Sequence, residues 1–345
     1  MIMEKLLGKN PSQLKEIALA AGLPGFTGNQ LAQWMYGKRV RTLGEMTNLP
    51  KAGRERLSGS YEVGVARPLG VAASSDGTKK YLFPVNGNPD NAVEAVMIPD
   101  GDRKTLCVSS QAGCKMGCKF CMTGRQGFHG NLSAADILSQ LFAIDEAAEL
   151  TNVVFMGMGE PLDNWEEVKK VIEVLTAPWG YGWSPKRITL STIGVIPSLK
   201  RFLDECKCHL AVSLHDPFPD ERLALMPAQK VFPLADVIAL LRQYDFSGQR
   251  RVSFEYTLLS GVNDSLRHAD ALARLLRGLE CRINLIRFHA IPDSPLRAAT
   301  VAATAAFQTR LQRAGITTTL RASRGEDILA ACGLLAGRGL KKTER

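Results

Sequence analysis

From Thr105 to about residue 322 the chain alternates two textures, and this alternation limits the fold more than any other feature. Short apolar runs rich in β-branched residues, "TLCVSS", "NVVFMG", "RITLST", "HLAVSL", "VSFEYTLL" and "INLIRF", read as buried strands. Between them lie segments of helical period: "SAADILSQLFAIDEAA", "WEEVKKVIEVL", "IPSLKRFLDE", "PLADVIALLRQY" and "DSLRHADALARLLRG". Ser133 opens the first of these, with Asp136 three residues on as the short-acid form of a capping box. Strands alternating with helices predict a parallel α/β sheet. The chain is short for eight such units, so the fold class expected is α/β, a partial (β/α)6 TIM-type barrel. A further helix, "TAAFQTRLQRAG", and a strand, "ITTTLRA", follow before the tail "GEDILAACGLLAGRG".

Four regions are expected. Residues 1–60 read as a small helical accessory domain, either suited to RNA by its basic loops or a simple packing cap, with Asn10 capping and Pro11 opening its first helix. Residues 61–100 carry "YLFPV" and "AVEAVMIPD" between turn residues and read as a β-rich extension. Residues 101–322 form the barrel, and 323–345 a C-terminal segment in which Gly325, Gly333 and Gly337 predict mobility. The formal net charge of +9 favours a polyanion such as RNA, although a generic basic protein carries the same surplus. Lys38, Arg39, Arg41, Lys51, Arg54, Arg125 and Arg324 are reasonable phosphate contacts, though any one of them also suits a solvated surface. "MIMEKLLGKN" does not read as a secretory signal, and no apolar run approaches the roughly 20 residues that span a bilayer. A cytoplasmic protein without membrane contact is expected, in which clustered cysteines bind metal or do chemistry rather than cross-link.

In α/β sheets the chemistry gathers at the carboxyl ends of the strands. "CVSSQAGCKMGCKFC", "MGMGEP", "STIG", "SLHD" and "FHAIPDSP" all fall there. Cys114, Cys118 and Cys121 offer three thiolates on one loop with no fourth at a matching interval. Structural zinc takes four closed ligands. A four-iron cluster held by three thiolates keeps one iron open to a substrate. Gly157 and Gly159 let a ligand approach the backbone, and Glu160 can receive an ammonium, although "GMGEP" alone fits an ordinary strand-to-helix turn as well.

The three-cysteine loop after the first barrel strand, with Phe120 before its last cysteine, resembles the radical S-adenosylmethionine enzymes. The longer stretches "TLCVSSQAGCKMGCKFCMTGRQGFHGNLSAADILSQL", "VVFMGMGEPLDN", "ITLSTIGVIP", "LAVSLHDP" and "GEDILAACGLLAG" are similar to the RlmN/Cfr family of adenine methyltransferases. The resemblance implies that Cys114, Cys118 and Cys121 hold a 4Fe-4S cluster whose fourth iron takes S-adenosylmethionine. It implies a cofactor pocket of Gly159, Glu160, Ser191, Ser213, Leu214 and His215, with His289 where the family usually has Asn.

It further implies a radical route, because adenine C2 is electrophilic and resists ordinary methyl transfer. Cys332 would carry the methyl group as S-methylcysteine, and two S-adenosylmethionine molecules would be used per turnover. The carbon would join RNA and protein covalently. Cys107 would release the product by forming a disulfide with Cys332, and Glu94 would take the C2 proton. Outside the resemblance, Cys332 reads as a small buried apolar residue and Glu94 as a charge on an exposed strand face. The implied partners are 23S ribosomal RNA, transfer RNA and an external electron donor such as a flavodoxin-type reductant, with the enzyme a monomer. Methylation at C8 is the nearest alternative. A non-catalytic zinc-containing RNA-binding protein is an alternative of another class. Cys206, Cys208 and Cys281 fit none of these roles and read as structural.

Overall fold

A computed structural model describes residues 3–248 and 250–337. The basic run at 341–345 lies outside the described residues. Ten strands form one sheet: β1 Gly70–Ala73, β2 Lys79–Val85, β3 Asn88–Asp100, β4 Arg103–Cys107, β5 Asn152–Phe155, β6 Ile188–Thr192, β7 His209–Ser213, β8 Val252–Leu258, β9 Arg282–Arg287 and β10 Thr317–Leu320. They lie side by side in chain order, with β1 and β10 at the two open edges. The pairs from β4 to β10 are all parallel. The pairs from β1 to β4 are antiparallel. The sheet is therefore an open α/β barrel sheet extended by a β meander, and the strand read from "ITTTLRA" joins it as β10.

Burial explains why the barrel strands read as continuous apolar runs. Every residue of β8 is buried, because helices cover the parallel part of the sheet. Helices Ala134–Phe142, Trp165–Thr176, Ile196–Glu205, Leu234–Leu241, Leu266–Leu275 and Val301–Arg313 fill the connections. The expected box at Ser133 is present: its hydroxyl accepts the Asp136 N–H at 3.1 Å, and the Asp136 carboxylate accepts back from Ser133. The same carboxylate pairs with Lys5 at 2.8 Å, which ties the N-terminal region to the first barrel helix.

That N-terminal region holds helices Pro11–Ala20, Thr27–Ala32 and Lys51–Ser58, closed by a parallel pairing of Glu4–Lys5 with Tyr61–Glu62. Asn10 caps the first helix, as its sequence predicts. Tyr36 is buried at its base, donating to the Lys9 carbonyl at 2.7 Å and packing 5.4 Å from the Trp179 ring. Arg39 donates to the Ala147 carbonyl at 2.9 Å and lies over the Tyr181 ring. This cation is thus engaged within the protein rather than presented to a phosphate. No helix among the described residues is long and apolar enough to cross a membrane.

Candidate active site

The cysteine loop springs from a small antiparallel hairpin, Gln111–Gly113 with Phe128–Asn131, just beyond β4. Gly113 has φ +69°, and a Cβ there would sit 1.9 Å from the Gly127 carbonyl oxygen, so only glycine closes the hairpin. Cys114 donates its N–H to that same carbonyl at 2.8 Å. Cys121 starts the short helix Met122–Arg125. All three thiols are free. Burial pushes Cys114 up to about 12 and raises Cys118 and Cys121, and at Cys118 the charges of the other two thiolates add to the rise. Three buried thiolates side by side therefore need a cationic centre to exist.

The spacing of the thiols says which kind of centre. The Asp216–Glu221–His268 group is the one trio of His, Cys and acidic ligand atoms among the described residues that all lie within 4.8 Å of one another. At least one pair of the cysteine sulfurs is therefore farther apart than that. Thiolates on a single zinc ion, each about 2.3 Å from the metal, would lie roughly 3.8 Å apart. The donor set fits a polynuclear iron–sulfur cluster, whose thiolates sit on separate irons.

The three cysteines line one cavity at the carboxyl ends of the barrel strands. Gly159, Glu160, Ser191, Ser213 and His215 line the same cavity, and Cys332 stands at its rim. Gly157 and Gly159 are both sterically required. Added Cβ atoms would meet the Val108 carbonyl oxygen at 2.6 Å and the Gln111 side chain at 2.4 Å. Glu160 is buried at the ends of β5 and β6. It receives the Ile193 N–H at 2.9 Å and the Leu162 N–H at 3.1 Å. Burial nevertheless pushes its carboxyl up to about 7, against the pull of these hydrogen bonds. A ligand ammonium in the cavity would restore the charge.

His215 follows β7 in the left-handed region, at φ +56°. Its Nδ1 accepts the Thr257 N–H at 3.0 Å, so the neutral ring carries its proton on Nε2. Burial, with the charge of Arg222 second, pushes its pKa down to about 3. Its ring packs 4.6 Å from Phe120, which joins the cysteine loop to the β7 exit. Leu214 is fully buried and does not line the cavity. His289 lines an adjoining cavity, where it meets Ser323 at 3.1 Å and Glu326 at 3.2 Å.

Arg222 is a site residue that periodicity does not reveal. It is 0% exposed, and its guanidinium donates to the Ser213 and Leu214 carbonyls at 2.9 Å each and to Gln229. Its charge also opposes the upward shift of Cys118. Arg222→Met should remove three hydrogen bonds, to the Ser213 and Leu214 carbonyls and the Gln229 amide, and leave a cavity where the guanidinium packs. The expected cost is about 2–4 kcal/mol of stability, read as a lowered urea midpoint at unchanged m. A midpoint equal to that of the parent protein would remove Arg222 from this role.

Cys107 ends β4, buried, with its thiol pushed up to about 12 by burial and then by the neighbouring charge of Cys332. Arg321 lines the cavity together with Cys332. The Cys332 charge is the largest cause raising its pKa, and the guanidinium in turn lowers that of Cys107. Glu255 holds this arginine at 3.4 Å. Glu94 is 2% exposed, which rules out the exposed-face reading. Its carboxylate takes Lys80 at 3.0 Å and the N–H groups of Ala336 and Gly337 at 2.7 and 3.2 Å.

The C-terminal segment is docked rather than loose. Gly333 receives the Met122 N–H at 2.8 Å, and the Leu335 and Ala336 carbonyls accept from Thr123 and Gln126. Gly325, Gly333 and Gly337 all have positive φ, so these glycines shape turns that fold the segment over the cysteine loop.

Residues 108–273 match the family model described as the radical SAM superfamily. Residues 4–63 match that of the ribosomal RNA large subunit methyltransferase N-terminal domain. A relative from Porphyromonas gingivalis, named "Probable dual-specificity RNA methyltransferase RlmN", is 59% identical over 96% of this chain and 96% of its own. A dual-specificity RNA methyltransferase RlmN from Marinobacter nauticus is 42% identical over 99% of this chain and 94% of its own. The crystal structure of a radical SAM methyltransferase from Sphaerobacter thermophilus superposes with a TM-score of 0.91 at 38% identity, covering 97% of this chain and 100% of that one. An open parallel sheet, a three-thiol loop at its carboxyl end and these full-length likenesses agree: the chain belongs to the RlmN family of methyltransferases within the radical S-adenosylmethionine superfamily.

Proposed function

We propose that the chain methylates C2 of one adenine in 23S ribosomal RNA and of an adenine in transfer RNA anticodon loops, delivering the carbon from the Cys332 sulfur. What supports this most is one juxtaposition. Cys332 lines the same cavity as Cys114, Cys118, Cys121 and Arg321, and its charge raises the Cys107 thiol at the end of β4. The relatives' names support RNA as the substrate.

In this reading Cys114, Cys118 and Cys121 hold the 4Fe-4S cluster. Gly159, Glu160, Ser191, Ser213, Leu214, His215 and His289 form or back the S-adenosylmethionine pocket. The bound pair supplies an electron and a sulfonium that splits homolytically, giving a radical able to abstract hydrogen. Glu160 and the Nε2–H of His215 orient the ligand, the first by charge and the second as a neutral donor. Arg321 stabilises the Cys332 thiolate that accepts a methyl group from a first S-adenosylmethionine, a second being used later in the same turnover. Once the carbon radical left on the Cys332 sulfur has added to C2, the adduct gives up its odd electron to a one-electron acceptor such as the oxidised cluster, and Glu94 takes the C2 proton. The Cys107 thiolate then attacks the Cys332 sulfur, so that an S–S bond forms as the carbon–sulfur bond breaks. The electron pair of that bond stays with the carbon, which becomes the methyl group on protonation. An external reductant, with a flavodoxin-type donor for the cluster, resets the pair. The enzyme acts as a cytoplasmic monomer.

Glu94 can act only after Ala336 and Gly337 withdraw, since their N–H groups occupy its carboxylate. Glu94→Gln is therefore expected to slow product release by about 10²-fold or more in single-turnover kinetics. An unaltered rate would take Glu94 out of the mechanism. Mass spectrometry of nucleosides from treated RNA tests the whole reading: 2-methyladenosine supports it, whereas 8-methyladenosine or no methylation refutes it.

A further inference from the structure

We propose that Asp216, Glu221 and His268 form a second metal site, remote in kind from the cysteine loop, that takes one divalent first-row cation such as Zn²⁺. The three side chains come from the loop after β7, from helix Pro219–Leu225 and from helix Leu266–Leu275. Their ligand atoms all lie within 4.8 Å of one another. His268 Nε2 is 2.8 Å from Glu221 Oε2 and 3.9 Å from Asp216 Oδ2. Oxygen and nitrogen atoms bound to one ion at about 2.0–2.1 Å lie roughly 2.9–3.4 Å apart, between those two distances.

Two observations lift this above a chance cluster. Asp216 is 0% exposed, and its Oδ2 has no hydrogen-bond partner among the described residues. A buried carboxylate oxygen left unmatched is costly, and this one faces the His268 nitrogen. Each ligand is also held through its other polar atom. Asp216 Oδ1 accepts the Phe218 N–H at 2.8 Å, Glu221 Oε1 accepts from Arg267 at 2.9 Å, and His268 Nδ1 meets the Ser265 hydroxyl at 2.7 Å. A cation would displace the proton through which Nε2 now meets Glu221 Oε2 at 2.8 Å, leaving Nδ1 to donate to the Ser265 hydroxyl, as outer-shell partners arrange at metal sites generally. One imidazole and two carboxylates suit zinc, manganese or ferrous iron better than a thiolate-seeking ion. The Phe218 ring, 5.2 Å from that of His268, shields one side. A cation here would pin the loop that carries His215 into the cavity to two helices behind it.

The test uses the full chain with its iron–sulfur cluster reconstituted anaerobically. It is equilibrated with zinc sulfate, desalted and measured for zinc and iron by plasma mass spectrometry. The parent protein should keep about one zinc per chain more than Glu221→Gln and His268→Gln, at the same iron content. The same zinc should raise its melting temperature by several degrees but not theirs. Glu221 is half-buried, so its substitution should fold even if that of His268 does not. Equal zinc in the parent and Glu221→Gln proteins, or none in the parent, would overturn the proposal.

Discussion

Cys107→Ala protein, given S-adenosylmethionine, reductant and RNA, is expected to accumulate covalently joined to the RNA. In the proposed mechanism the carbon carried by Cys332 can still reach the base, because Cys107 takes no part until the carbon–sulfur bond must break. What is lost is the attacking thiolate. Cys107 ends β4 and feels the Cys332 charge, and Arg321 lowers the cost of forming its thiolate against the burial that opposes it. Cys121 also feels the Cys332 charge but is committed to the cluster loop. Gel mobility should show a band of protein plus RNA, stable to denaturant, in more than about 10²-fold excess over the parent level. Free methylated RNA from the variant would refute the role. Cys332→Ala should give neither band nor product while still cleaving the sulfonium.

Glu160→Gln is expected to weaken S-adenosylmethionine binding by about 30- to 1000-fold, the loss of a charge-assisted contact worth roughly 2–4 kcal/mol. The amide also cannot accept both the Leu162 and Ile193 N–H groups as the carboxylate does. The pH dependence is the sharper signature. An ammonium needs the ionised carboxylate, and burial has moved that ionisation up to about 7. Affinity in the parent protein should fall about tenfold per pH unit below 7 and level off above it, while the variant stays flat through the same range. Stability of the ligand-free protein runs the other way. A carboxyl whose folded pKa is raised binds its proton more tightly when folded, so its contribution is present at pH 5 and lost as pH rises through 7. The size is on the order of 3 kcal/mol. Melting curves that ignore pH between 5 and 8, or that change identically in the variant, would contradict this account of Glu160.

Much of the scaffold is legible in the residue pattern. The run that becomes β8 is buried along its whole length and that of β7 through its centre, because helices cover them, and Asn10 and Ser133 announce helix starts by their own capping chemistry. The cysteine loop is legible too, since no other common chemistry needs three thiols so close without a fourth. The supporting shell is not. Arg222 reads as one more solvated cation, yet Pro219 starts a short helix that turns it under Ser213 and Leu214. Arg321 and Cys332 sit 11 positions apart, and only the fold sets that guanidinium beside the sulfur. Asp216 and His268 are brought together across β8. The left-handed backbone at His215 has no sequence signature, because histidine rarely adopts it. The glycines around Cys332 do not announce the docked turns, because positive φ in a docked turn and freedom in a loose one call for the same residue.

The central claim is that three sulfurs hold an iron–sulfur core with one iron left for the sulfonium. It is tested most directly by reconstituting the chain with iron and sulfide, adding S-adenosylmethionine and dithionite without oxygen, and quantifying 5′-deoxyadenosine. The account predicts its formation by the parent and by Cys332→Ala, and none from Cys114→Ala, Cys118→Ala or Cys121→Ala. Protein carrying four irons per chain that leaves the sulfonium intact would contradict it.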